Sequence, residues 1–391
     1  MTHDAYKQIS DTHHIPSYAR FDVVLDSGKG AVAVDVNGKE YIDFGAGIGV
    51  NSLGYCDDGW VKAVSEQAAR IQHCSNLYYN TQQTLLAQEL CEMSGWAGVF
   101  FANSGAEANE CAIKLARKYS FDHYGPGRDE ILTLENSFHG RTVTTLSATG
   151  QDAFHQYFYP FTGGFAYAQA GEEFLSRMGD QTCAVILEAV QGEGGVIPLE
   201  QEFVQSVAEE CRKRDILLIF DEVQTGIGRT GKLLGYEHFG VQPDVVTLAK
   251  GLGGGLPIGA CLCAEKYVNV LSAGQHGSTF GGNPVVCAGA RYVLATVGKQ
   301  DFLDEVMRKG QYLKKELSGY AHVKSVRGLG MMLGAELDGI EAKTVAVKCA
   351  EKGLLVLTAK TALRLLPPLN INEEELARGL KILKSVLEEE V

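Results

Sequence analysis

Three residue groups, far apart in the chain, have the types and settings to do chemistry. Lys250 is the only charge between Asp244 and Glu265; it ends the apolar run Val245–Leu248 and opens the turn "GLGGGLPIG". A lysine there is either a solvated strand end, its stem lying over apolar surface, or an amine of lowered pKa that attacks a carbonyl. Asp221 closes the apolar run Ile216–Phe220. It reads as a turn former, or as a carboxylate at the sheet edge where ligands of α/β folds bind. A partly buried carboxylate needs a cation or a strong donor opposite it. In "FFANSGAEANE", Ser104 and Glu107 have capping-box spacing. That is a well-capped helix, and with the small Gly105 and Ala106 it is also an anion site on a helix start.

Together the three groups suit one cofactor, a phosphate-bearing pyridine aldehyde. The helix start takes the phosphate, Asp221 keeps the ring nitrogen protonated, and the Lys250 amine takes the aldehyde. That is the chemistry of pyridoxal phosphate. A competing signal, Gly226-x-Gly228-x-x-Gly231, matches a dinucleotide fingerprint. It begins several residues after the strand, however, and the following "KLLGYEHFGVQPD" is short and broken by Gly and Pro. It leaves a nucleotide-dependent dehydrogenase as the rival class.

The elements that must position these residues are legible as alternation. Between about 60 and 265, apolar runs such as "AGVFFANS", "CAVILEAV" and "ILLIFDE" are separated by helical patterns such as "AEANECAIKLARKYS" and "LEQEFVQSVAEECRKRD". This predicts an α/β fold, a central mostly parallel sheet buried on both faces by helices. After Gly282 the pattern changes to two long helices, short strands and a last helix. The strands of "GAVAVDVNGKEYIDF", turned at Asn37-Gly38, are expected to join that part. The predicted division is a large cofactor-binding domain over 51–282 and a smaller α+β domain from 1–50 and 283–391, in keeping with a chain of 391 residues.

The net charge of -13 argues against nucleic acid or anionic membrane as partners. The ten cysteines are unpatterned apart from Cys261 and Cys263, whose spacing lacks a second pair to complete a zinc site; they read as buried thiols in a reducing compartment, with no metal. The opening "MTHDAYKQISDTHHIP" is too polar for a signal peptide, and the weakly polar run Val245–Ala264 is interrupted by Lys250 and glycines. A cytoplasmic location is expected.

The motifs "NSGAEANE", "SFHGRT", "EAVQGEGG", "FDEVQTGIGRTG", "TLAKGLGGGLPIGA" and "STFGGNP" resemble those of the class III, fold type I pyridoxal-phosphate aminotransferases, in order and spacing and over nearly the whole chain. The resemblance implies roles residue by residue. Lys250 matches the lysine that carries the cofactor, and Asp221 the partner of the ring nitrogen. Val223 and Phe138 match the residues on the two ring faces, and Gln224 the one that bonds the ring hydroxyl. Ser104, Gly105 and Ala106 match the phosphate loop, joined by Thr279 from a second subunit of a homodimer. For substrates, Arg141 and Ser278 match residues at the α-carboxylate of the amino donor. Arg364 matches the arginine that receives the α-carboxylate of glutamate or 2-oxoglutarate, and Glu193 the glutamate that neutralises it. The implied donor is N2-acetyl-L-ornithine, favoured by "SNLYYN", with ornithine, succinylornithine and 4-aminobutyrate as alternatives and an aminomutase as a further one. One departure stands out: Glu188-Ala189 replaces the family's usual Glu-Pro, which removes a restraint on Glu188 and bears on the loop that carries Glu193.

Overall fold

The computed structural model describes residues 1–389. Its centre is a seven-stranded sheet, with β1 Gly98–Ala102, β2 Glu130–Leu134, β3 Phe165–Ala168, β4 Thr182–Leu187, β5 Leu217–Asp221, β6 Val245–Leu248 and β7 Gly259–Cys263, in the spatial order β1-β7-β6-β5-β4-β2-β3. Every residue of β4, β5, β6 and β7 is buried, so Val, Ile and Leu run through them without polar alternation, as burial on both faces requires.

β2 to β6 pair in parallel, as expected, but β7 lies antiparallel to both β6 and β1. The connection explains the reversal. Residues 249–258 contain only a short 3-10 turn at Lys250–Gly253, too little for the helical crossover that a parallel strand needs. Gly254 and Gly255 turn the chain back at φ +59 and +127, where L side chains are strained. β7 then starts against the cap of the helix that follows β1: a Cβ at Gly259 would lie 2.2 Å from the Ser104 carbonyl oxygen.

Six helices matter for the site and its supports: α1 Asp58–Ala68, α2 Thr81–Ser94, α3 Gly105–Tyr124, α4 Val143–Ala148, α5 Gln201–Arg214 and α6 Pro284–Val297. α3 crosses the sheet against β7 and β6, and α6 packs on α1, α2 and the turn at Lys250. Besides a two-stranded ribbon of Val190–Gln191 and Ile197–Pro198, the described residues make two four-stranded sheets. Strands Leu25–Lys29, Val32–Asp35 and Glu40–Asp43 form a meander, whose last strand pairs with Leu354–Leu355 and so joins the two ends of the chain. The other sheet combines Val323–Leu329, Met332–Leu337, Leu357–Ala359 and Ala362–Leu365, and the last of these carries Arg364.

Candidate active site

Topology brings the three chemical groups to one edge. Asp221 is the last residue of β5 and sits in register with Thr247 of the parallel β6, while Lys250 lies two residues beyond the end of β6. β7 runs the other way, so its first residue pairs with the end of β1 and places the α3 cap at the same edge. Between them lies a cavity of about 440 Å³, lined among others by Ser104, Gly105, Ala106, Phe138, Arg141, Asp221, Val223, Gln224 and Lys250. Its size is that of a small-molecule site.

Lys250 adopts φ +41. For a side chain with a Cβ this costs about 1–3 kcal/mol, and such strain gathers at functional sites. Burial pushes its amine below the ordinary lysine value and the Arg364 charge adds to that, against the opposing pull of Glu193, Asp221 and Glu188.

Asp221 is 4% exposed and held from three sides. Its Oδ2 accepts from Asn109 Nδ2 at 2.7 Å and faces His139 Nδ1 at 2.8 Å; its Oδ1 accepts from the Val223 amide at 3.0 Å. Asn109 is itself fixed, since it accepts from Thr247 Oγ1 at 2.6 Å and donates to the His139 carbonyl at 2.7 Å. Burial opposes charge on His139, but Asp221 and then Glu188 outweigh it and raise the imidazole above its usual value. Its Nδ1 therefore donates to the Asp221 carboxylate. A carboxylate has about four acceptor sites, and the three bonds leave one on Oδ1, which suits a protonated ring nitrogen.

The helix start differs from the expected box by one residue. Ser104 Oγ accepts from the Glu107 amide at 3.2 Å, but Glu107 reaches past Ser104 to the Asn103 amide at 2.7 Å. The first-turn amides of Gly105 and Ala106 are left for a ligand. Gly105 is required by packing, because a Cβ there would lie 2.7 Å from the Val223 methyls. The open carboxylate acceptor, the free amides and the amine of lowered pKa together fit pyridoxal phosphate.

At the other end, Arg364 is buried and pairs with Glu193 at 2.5 Å, with Gln224 Oε1 3.4 Å from the same nitrogen. Burial pushes the Glu193 carboxyl up, but Arg364 outweighs it and holds it below the usual range. Arg364 Nε is buried without a partner. The pair borders the cavity through Gln224. Glu188 accepts from the Phe138 amide at 2.9 Å and the Gly192 amide at 3.4 Å, so it ties the segment of Phe138 and Arg141 to that of Glu193. Burial pushes its carboxyl up to about 7.

Four predicted residues do not line the cavity of their own chain: Arg364 and Glu193, which reach it through Gln224, and Ser278 and Thr279. Thr279 is exposed, and Ser278 is half-buried, accepting from Asn103 Nδ2 at 3.1 Å and the Gly281 amide at 3.0 Å. Asn109 and His139, which hold Asp221, were not singled out by the sequence. His139 lay within the quoted "SFHGRT", whereas Asn109 looks like any polar helix residue. Among the described residues no His, Cys, Asp or Glu group is arranged to hold a metal ion, and no helix is long and apolar enough to cross a membrane.

Sheet, strand-end lysine and helix-capped cavity define a fold type I transferase that uses pyridoxal phosphate. Residues 15–387 match the family described as aminotransferase class-III, and the chain belongs to that family. It is 53% identical to an acetylornithine aminotransferase of Haemophilus ducreyi, over 100% of both chains. Among solved structures, an ornithine aminotransferase of Toxoplasma gondii with partial occupancy of PLP at its active site matches at TM-score 0.93 and 34% identity, over 99% of this chain and 94% of that one. The N-acetylornithine aminotransferase of Stenotrophomonas maltophilia matches at TM-score 0.84 and 37% identity, over 97% of this chain and 98% of that one.

Proposed function

We propose that this aminotransferase moves the terminal amino group of N2-acetyl-L-ornithine to 2-oxoglutarate, giving N-acetyl-L-glutamate 5-semialdehyde and L-glutamate, a step of arginine biosynthesis in the cytoplasm. The observation that carries the transfer chemistry is the meeting of Lys250, Asp221 and the α3 start around one cavity. The 53% identical relative supports the choice of donor.

Bound pyridoxal phosphate supplies an electron sink for the carbon that loses its proton. Lys250 would hold it, Asp221 would face its ring nitrogen, and Val223 and Phe138 would cover its faces. Gln224 would meet its ring hydroxyl, and Ser104, Gly105 and Ala106 its phosphate. Lys250 Nζ then has the work of moving protons: its lowered pKa leaves a neutral amine more accessible near neutral pH, able to take the proton from the donor carbon and return one. Arg141 takes the α-carboxylate of the donor. Arg364 is masked by Glu193 while an ω-amine is bound, and opens to fork onto the α-carboxylate of glutamate or 2-oxoglutarate. One pocket thereby serves two substrates of different charge.

The same reading places Ser278 and Thr279 at the cavity of a second copy of the chain, in a homodimer. An apolar surface beside them supports it. Leu77, Tyr78 and Tyr79 are 87%, 71% and 102% exposed and Phe280 is 61% exposed. Asn76 joins the two segments by donating to the carbonyls of Ser278 and Gly281, each at 2.9 Å. Exposed aromatic clusters of this kind mark association sites. Within each chain, 51–282 would bind the cofactor and 1–50 with 283–391 would form the smaller domain, α6 bridging the two.

Donor kinetics test the reading. With 2-oxoglutarate as acceptor, kcat/KM for N2-acetyl-L-ornithine should exceed that for ornithine, succinylornithine and 4-aminobutyrate by about tenfold or more. An equal or better rate with ornithine would move the protein to the sister activity.

A further inference from the structure

We infer that Phe154 is a positioning residue for donor specificity: it holds Arg141 so that the guanidinium meets a donor whose α-nitrogen is acylated in preference to one whose α-nitrogen is free. The inference rests on Arg141 as the receiver of the donor α-carboxylate. The Arg141 guanidinium carbon lies 4.1 Å from the centroid of the Phe154 ring and 5.5 Å from that of Phe138. The two rings stand edge to face, 6.0 Å apart at 77°. Arg141 is exposed, and makes no ion pair or hydrogen bond with another described residue, so aromatic contact is what orients it. Phe154 borders the cavity only through Arg141 and Phe138, which line it.

The backbone fixes this arrangement from both sides. Gly150 N donates to Ser137 Oγ and Gln151 Nε2 to the Ser137 carbonyl, each at 3.0 Å. His139 N donates to Thr149 Oγ1 at 3.0 Å. His155 Nε2 lies 2.9 Å from the Leu146 carbonyl of α4, the helix that begins just after Arg141 and is capped by Thr142. The turn Asp152–Phe154 is thus pinned to the segment that carries Arg141, although it lacks regular structure of any length.

The chemistry follows from what sits one bond from the α-carboxylate. With its central carbon 4.1 Å from the Phe154 centroid and no hydrogen bond to another described residue, the guanidinium keeps its N–H donors for the carboxylate. The neighbouring acylated nitrogen is neutral, so it can sit beside the guanidinium without charge repulsion. The free α-ammonium of ornithine would instead stand close to the guanidinium, beside a ring already engaged by a cation. Phe154 therefore favours the acylated donor over the free one.

The test is kinetics of the holoenzyme with wild-type protein, Phe154→Ala and Phe154→Tyr, each checked for unchanged thermal melting and pyridoxal-phosphate affinity. Phe154→Ala should raise KM for N2-acetyl-L-ornithine about tenfold with little change in kcat, and Phe154→Tyr should restore most of the loss. Inhibition by N2-acetyl-L-norvaline, which keeps the acyl group and carboxylate but has no terminal amine, should weaken by a similar factor. The rate with glutamate as donor should not move. Equal losses with N2-acetyl-L-ornithine, ornithine and glutamate would overturn the proposal, as would no loss at all. A wild-type enzyme that does not prefer N2-acetyl-L-ornithine to ornithine would defeat the donor reading itself, and that result is read before any variant.

Discussion

The floor of the cavity and its rim are built on opposite principles. On the floor, Asp221, Asn109, His139 and Thr247 are buried and bonded to one another. At the rim, Arg141 is exposed, makes no ion pair or hydrogen bond with another described residue, and lies against the rings of Phe154 and Phe138. A buried polar network holds a fixed geometry only when its members are satisfied, and this one nearly is. The rim leaves the Arg141 donors free for a substrate that comes and goes. The pair Arg364–Glu193 lies between, buried on the arginine side and partly open on the glutamate side.

Substitutions on the floor should therefore damage every substrate alike, and those toward the rim should discriminate. Lys250→Ala should give the largest effect, a loss of at least about 10³-fold in kcat with both donors, with unchanged circular dichroism. Normal transamination by that variant would break the contrast at its root. Asp221→Asn should lower kcat by about 10²-fold for glutamate and N2-acetyl-L-ornithine together; a donor-selective loss would place Asp221 with the rim. Arg364→Ala should raise KM for 2-oxoglutarate by roughly 10- to 100-fold, as expected for a lost charged fork, with a smaller change for N2-acetyl-L-ornithine. Equal shifts in both would remove the gate.

The smallest effect concerns pH and the fold beneath the floor. Burial pushes Glu222, next to Asp221, up to about 7 even though it accepts from the amides of Gly235 and Tyr236 at 2.9 and 2.6 Å. A carboxyl whose folded pKa is raised contributes stability that is fully present below its unfolded value. That contribution falls away as pH rises through about 7, because the unfolded chain sheds the proton more readily. Glu188, also raised to about 7, acts in the same sense. Glu222→Gln should therefore flatten the fall in Tm between about pH 5 and 8 by a few degrees relative to wild type; parallel curves would show that Glu222 stays ionised throughout.

The sequence made the floor legible where local rules apply. Asp221 and Lys250 stand out because a charge ends an apolar run, and Ser104 because a cap has few residue choices. Asn109 carries no such signal: it sits inside α3 and meets Asp221 across 112 residues of chain, a contact only the crossing of α3 over β5 and β6 creates. The reversal of β7 was hidden because an apolar strand reads the same in either direction; the glycines before it were the only hint. Glu107 bonded the Asn103 amide rather than that of Ser104 because spacing alone does not say which amide a carboxylate reaches. Phe154 lies in an irregular segment, where neither period nor cap gives guidance.

The central claim is that the Lys250 amine, Asp221 and the α3 start hold one pyridine aldehyde between them. Incubation with pyridoxal phosphate, reduction with borohydride and peptide mass mapping test it directly. One pyridoxyl phosphate group should be found per chain, on the peptide containing Lys250, and Asp221→Asn should weaken its uptake. Labelling spread over surface lysines, with Lys250 unmodified, would contradict the account.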